Sequence, residues 1–165
     1  RVGIDHDTAQ CAVESIRRWW WPMGQGSYPQ ARAVLITADG GRSNASRTRL
    51  WKVELQKLAD EIGVAIYVRH FPPGTSKWNT IEHRMFCHIT EHWRGRSLIS
   101  HEVVVNFIGR TTTDAGLTIQ AELDTTLYLT GIKVSKKDME RLNLSPAKFH
   151  GKDWNYAIKP HLQSP

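Results

Sequence analysis

Two acidic residues stand where carboxylate chemistry would need them. Asp39 follows the apolar run VLITA and precedes Gly40 and Gly41. A strand end holds such a carboxylate in place, and paired glycines leave room for a large ligand near the backbone. Glu82 falls in KWNTIEHRMF, on the first turn of an expected helix. A rigid helix is a good platform for a ligand. Two carboxylates from different elements can hold Mg²⁺, which takes oxygen ligands and keeps several waters. Two such ions about 3.5–4 Å apart can activate a water or a 3′-hydroxyl and stabilise the leaving oxygen in phosphodiester chemistry. Both residues also have a structural reading, in which Asp39 caps a turn and Glu82 complements a helix dipole. Spacing alone leaves the two readings open.

A second pattern competes with the first. His88, Glu91 and His92 spell HITEH, the H-x-x-E-H arrangement of inverted zinc metalloproteases. Two histidines four apart on one helix face can hold Zn²⁺, with the glutamate as base. A third protein ligand is needed, and nothing in the sequence singles out Glu122 or Asp124 for it. A polar helix face is the simpler reading. No phosphate-binding G-x-x-x-x-G-K-[ST] loop, no G-x-S-x-G elbow and no Cys-x-x-Cys pair occurs. Nucleotide hydrolysis, serine-type hydrolysis and a zinc ribbon therefore have no support.

The elements that would position these residues follow from periodicity. Val2–Ile4 reads as the end of a strand. Asp7 or Thr8 can cap a helix running to about Trp21, where Pro22 and Gly24 stop it. AVLITADGG lacks alternation, which suggests a strand buried on both faces. Ser43 or Asn44 can cap the next helix, whose apolar face is Trp51, Leu55, Leu58 and Ile62. Lys57 and Glu61 are placed to pair across one turn, and Gly63 closes the helix. VAIYVRHF is a further strand, ended by Pro72, Pro73 and Gly74. From Asn79 or Thr80 a helix runs to about Trp93, with Ile81, Met85 and Ile89 as its stripe. HEVVVNFIGR suits a helix capped by Ser100 or, by its three valines, a strand. AELDTTLYLTGIKV reads as one or two strands, SKKDMERLNL as a helix capped by Ser135, and WNYAI as a last strand. Alternating helices and strands make an α/β fold with adjacent, parallel strands. Ligands in such sheets bind beyond the strands' carboxyl ends, where Asp39 stands.

Composition narrows the partners. The 165 residues are enough for one ordinary domain, and no apolar stretch approaches the ~18 residues of a membrane span. The net charge of +6 is uneven: residues 1–100 carry 14 basic and 9 acidic side chains, residues 101–165 carry 8 and 7. A basic front favours a polyanion, nucleic acid first; a solvated basic surface is the alternative. Cys11 and Cys87 are expected as two buried, reduced thiols. Of the consecutive Trp19, Trp20 and Trp21, one must point outward.

Taken together, ITADGG, a helix, and a strand ending HFPPGTSKWNTIEHRMF resemble the catalytic core of DDE transposases. GIDHDTAQCAVESIRRWW, ADGGRSNASRTRLWKVELQKLADE, HWRGRSLISHEVVVNFI and the tail ELDTTLYLTGIKVS…FHGKDWNYAI are similar to the Rhodopirellula-type family of bacterial insertion sequences, close to the mariner-like group. The resemblance spans nearly the whole chain. It implies an α/β, ribonuclease-H-like fold, here incomplete because its first strands are missing. Residues 1–116 would form the partial core and residues 117–165 a small C-terminal α+β appendage. It implies Asp39 as the second acid of the triad and Glu82 as the third, holding Mg²⁺ or Mn²⁺. The first acid is expected upstream of Arg1, because Asp5 and Asp7 sit at a strand-to-helix junction rather than on a first strand. This piece alone is then expected to be inactive, although its parent would cut transposon ends and join them to target DNA. An inactive DNA-binding remnant is the alternative.

A basic and aromatic set flanks these acids. Arg42, Arg47 and Arg49 follow Asp39; Lys77, Trp78 and Asn79 precede Glu82, with His83 and Arg84 after it. Positive charge there would place the scissile phosphate and its neighbours, and Trp78 could stack on an unpaired base. We take Arg42, Lys77, Trp78, Asn79 and Arg84 as DNA-binding candidates. Arg47 and Arg49 as helix-surface residues, and Trp78 as a core residue, are the structural alternatives. The resemblance also implies a homo-oligomer in a synaptic complex and a place in the bacterial cytoplasm, at the nucleoid.

Overall fold

The computed structural model describes residues 2–41, 43–72, 74–113, 116, 119–148 and 151–161. In chain order its elements are β1 (Val2–Gly3), α1 (Ala9–Trp19), a π turn (Trp20–Gly24), α2 (Gln25–Ser27), β2 (Ala33–Ala38), α3 (Arg49–Ile62), β3 (Ala65–His70), a 3₁₀ turn (Ser76–Trp78), α4 (Thr80–Trp93), α5 (His101–Gly109), β4 (Leu123–Asp124), α6 (Lys136–Glu140), β5 (Leu144–Pro146) and β6 (Asn155–Ile158). They fall into two compact units, residues 1–6 with 77–128 and residues 7–76 with 129–165.

The larger unit is a four-stranded mixed sheet in the order β2-β3-β6-β5. β2 and β3 are parallel, in register from Ala33 opposite Ala65 to Ala38 opposite His70. The connection between them is α3, the helical crossover that parallel neighbours require. β6 runs antiparallel to β3, and β5 antiparallel to β6. Trp51, Leu55 and Leu58 form one face of α3 and are buried with Ile66 and Val68 of β3 and Tyr156 and Ile158 of β6. Inside this core the Trp51 indole N–H donates to the Tyr156 hydroxyl at 2.9 Å. Burial pushes the Tyr156 phenol's pKa up, against the lowering effect of the Trp51 bond, so the hydroxyl stays protonated.

Polar bonds fix the layers. The buried Gln56 amide donates to the Lys159 carbonyl and accepts from the Asn143 N–H at 2.9 and 2.8 Å. The Arg17 guanidinium of α1 bridges Glu14 and Glu61 at 2.5 and 2.7 Å, and the Trp21 indole also donates to Glu61. Asp60 receives the His161 backbone N–H at 2.7 Å, and the ring Nδ1 lies 3.0 Å from the same carboxylate. In the smaller unit β1 pairs in parallel with β4. α5 packs on both strands and on α4. The Asp5 carboxylate accepts the Tyr128 N–H at 2.7 Å.

Much of the expected order is present: Thr8 caps α1, Ser100 caps α5 as a helix, and Ser135 and Asp138 form a capping box on α6. Gly63 closes α3 at φ 67°. Other expectations are corrected. Pro22 does not stop the first helix. Proline lacks the N–H that an α-turn would use, and the chain widens into a π turn, with the Gln25 N–H reaching the Trp20 carbonyl, before α2. β2 is not buried on both faces, since it is an edge strand with Ala33, Leu35 and Thr37 exposed. Thr48, not Ser43 or Asn44, precedes α3. Lys57 pairs with Glu54 at 2.7 Å, because Glu61 is taken by Arg17. Along α4 only Ile89 of the stripe is buried; Ile81 and Met85 are exposed. Cys11 is partly buried and Cys87 exposed, so neither is the core thiol expected. Apart from these corrections, the compact units divide within residues 117–165: residues 117–128 lie in the smaller one, and β5 and β6 join the larger one's sheet.

Two outcomes follow from these contacts. Tyr156→Phe leaves the buried Trp51 N–H without an acceptor and lowers stability by about 1–3 kcal/mol in urea titrations. The Asp60 carboxylate raises the His161 pKa above its usual 6.5. The folded state therefore holds that proton more tightly than the unfolded chain. This contribution is complete below about pH 6.5 and is lost as pH rises through the raised folded value. In melting curves taken across that window, His161→Ala flattens the decline.

Candidate functional site

β2 delivers Asp39 to the carboxyl end of the sheet. Its last residue, Ala38, is buried, and the Ala38 carbonyl accepts the Phe71 N–H at 2.8 Å. The chain then turns at Gly40, whose φ of 78° is the left-handed value that glycine adopts without strain. Asp39 Oδ1 accepts the Gly41 N–H at 3.1 Å. The expected turn cap is thus real, and it orients an exposed carboxylate.

Gly41 matters for what it leaves open. A Cβ placed there would stand 3.4 Å from Asp39 Oδ1 and 3.5 Å from Asn44 Oδ1. The two side-chain oxygens face the same small space. Asn44 Oδ1 is buried and, among the described residues, has no hydrogen-bond partner. A buried acceptor without a donor is costly. A carboxylate oxygen and an amide oxygen, lying 3.4 and 3.5 Å from one point above Gly41, are of the type that a hard divalent cation takes.

Asp39 also lines a cleft of about 470 Å³, with Arg47, His70, Phe71, Asp153 and Trp154 among its other residues. His70 ends the inward-facing series Ile66, Val68, His70 of β3. Its ring Nδ1 is 2.7 Å from the Trp154 carbonyl and its Nε2 is 2.7 Å from the Asn44 carbonyl. The imidazole thereby ties the loop after β2 to the turn before β6, the two walls of the cleft.

Glu82 belongs to the other unit. It stands on the first turn of α4, exposed, and accepts a hydrogen bond from the Asn79 side-chain amide. Asn79 occupies the N-cap position without capping the backbone through its side chain. Its amide is spent on orienting Glu82. Lys77 and Arg84 are exposed, and Trp78, 56% exposed, is not a core residue. Arg42 lies outside the described residues. Arg47 lies in the loop before α3 rather than on the helix, and lines the cleft with Asp39. His88, Glu91 and His92 are exposed on α4, and Glu91 pairs with Arg94 at 3.6 Å. Among the described residues no three His, Cys, Asp or Glu side chains gather as a metal cluster, either at HITEH or at Asp39.

Sequence reasoning missed His70, Asp153 and Trp154 and took Asn44 only as a helix cap. His70 was legible as the polar member of an inward-facing series. Asp153 and Trp154 carry no local signal, because only the pairing of β6 with β3 brings them to the cleft.

The family described as the Rhodopirellula transposase DDE domain matches residues 1–160. The chain belongs to that family. No curated protein and no solved structure matches the chain.

His70→Leu removes the ring's contacts to the Asn44 and Trp154 carbonyls, leaving at Trp154 only the His70 backbone N–H at 3.2 Å, and is expected to cost about 1–3 kcal/mol. Hydrogen exchange read by mass spectrometry should accelerate in residues 43–48 and 151–154 while the α3 amides keep their protection. Uniform acceleration would show a general core defect instead.

Proposed function

We propose that this DDE-family chain is the catalytic part of a DNA transposase, with Asp39 and Glu82 as ligands of Mg²⁺ or Mn²⁺. The observation that carries the reading is that Asp39 Oδ1 and the buried Asn44 Oδ1, which has no partner among the described residues, lie 3.4 and 3.5 Å from one point above Gly41. Family membership supplies the substrate class, DNA. A mixed sheet with parallel β2 and β3, and an acid at the end of β2, is what a ribonuclease-H-like fold would present. Bound at such carboxylates, a divalent ion lowers the pKa of a water and offsets charge building on the phosphate.

The chain's own residues would do the rest. Asp39 is oriented by the Gly41 N–H, and Glu82 by Asn79. Arg47, exposed at the cleft mouth, would draw the phosphate toward Asp39. Lys77 and Arg84 would meet the backbone beside Glu82, and Trp78 would stack on an unpaired base. Arg42 and Asn79 complete the proposed DNA-contacting set. The activity is cleavage of transposon ends and strand transfer, by a homo-oligomer, in the bacterial cytoplasm at the nucleoid. No helix among the described residues is long and apolar enough to cross a membrane.

Iron-directed cleavage tests the ligands. With Fe²⁺ loaded and hydroxyl radicals generated, backbone breaks should cluster near Asp39 and Glu82, and Asp39→Asn should remove them. Breaks confined to residues 88–92 would favour a zinc site instead. On DNA, a protein carrying all three acids of the triad should show Mg²⁺- or Mn²⁺-dependent nicking that falls at least about a hundredfold in Asp39→Asn or Glu82→Gln. Salt-sensitive DNA binding with no metal-dependent nicking, even with all three acids present, would identify a remnant.

A further inference from the structure

The Asp39 cleft does not end at Arg47. A second cleft, of about 350 Å³, shares Ser46, Arg47 and Asp153 with it and continues along the same wall. Its remaining lining includes Lys52 of α3, Lys152 of the turn before β6, and Tyr156. Three of its four charged side chains are cationic, and Asp153 is the one anion. The loop carrying Ser46 and Arg47 and the turn carrying Lys152 and Asp153 are the two segments that His70 ties together. The cations therefore stand on braced backbone.

Lys52 is the informative member. It is half-buried, and its ammonium sits 5.1 Å from the centre of the Tyr156 ring. Burial lowers its pKa, against the partial compensation of the Asp153 carboxylate. A cation taken partly out of water, facing a cleft where other cations outnumber its one anion, lacks sufficient counter-charge. A phosphodiester oxygen supplies that charge and also accepts the ammonium's N–H donors.

We propose that Arg47, Lys52 and Lys152 form a phosphate-binding shelf that takes the DNA backbone next to the phosphate at Asp39. Arg47, shared by both clefts, would hand the strand from one to the other. The shelf rests on the proposed transposase reading for the identity of its polyanion, but it requires no metal. Contacts to phosphate carry no base information, so the shelf would set register rather than sequence.

The test is fluorescence anisotropy of a labelled DNA duplex in EDTA, titrated with the protein across a range of NaCl. Lys52→Gln with Lys152→Gln should weaken binding on the order of tenfold, equally for any duplex sequence. The double variant should also reduce the slope of log affinity against log salt by about 2. Lys52→Arg with Lys152→Arg should restore both quantities, which a packing defect would not allow, and circular dichroism melts check that each variant folds. Wild-type affinity and slope in the glutamine variant would overturn the shelf, as would wild-type protein that does not bind duplex DNA. The metal reading fails on a different result, iron-directed breaks that persist in Asp39→Asn, so the two failures are separable.

Discussion

The pairing of β6 with β3 is the constraint on which the larger unit rests. β3 is an inner strand, parallel to β2 on one side and antiparallel to β6 on the other. Without β6, the buried face of α3 would lose Tyr156 and Ile158, and Trp51 would lose the acceptor for its indole N–H. Burying that donor without its partner would cost more than the bond itself contributes. The same pairing brings Trp154, Asp153 and Lys152 to the end of the sheet, where β2 leaves Asp39. Core and cleft are thus two consequences of one antiparallel ladder. Gln56 and Asp60 extend the effect by holding the chain at Asn143, Lys159 and His161.

The cleft is organised by hydrogen bonds that run outward from this ladder. β3 ends in a histidine whose ring lies between two carbonyls from distant parts of the chain. Asp39 is turned by the amide of Gly41, and Asn44 sits beside it with an oxygen that no described donor reaches. Hydrogen bonds thus hold the Asp39 carboxylate and the backbone of both cleft walls, as precise sites require. Glu82, in the smaller unit, is steadied by a different device, the Asn79 amide one turn away. Both acids are exposed at their tips and held from behind.

What the sequence revealed depended on how local the cause was. Thr8, Ser100 and the Ser135–Asp138 pair cap their helices through contacts three residues away, and each was readable. So was the Trp51–Leu55–Leu58 face, because helical period alone defines it. The apolar run of β2 misled, since its residues look equally buried while the edge position leaves Leu35 64% exposed. Pro22 misled because a π turn is a rare answer to a missing N–H. Glu61 was assigned to Lys57 by spacing, but Arg17 and Trp21 reach it from another helix, a competition invisible along one segment. The places of Asp39 just after a strand and of Glu82 on the first turn of a helix were legible from local pattern. Asp153, Trp154 and Lys152 were not, because a late strand had to fold back to put them there.

Gly41 has a consequence for how this chain can vary. Its backbone lies outside the left-handed region, and a methyl group there would meet its neighbours only at ordinary contact distance. Folding therefore exerts almost no preference between glycine and alanine at this position. Under the proposed reading the methyl would occupy the space where the two oxygens converge. An allele with alanine at 41 would be soluble, fully folded and silent. Thermal shift and expression screens, which register only the fold, would pass it as wild type.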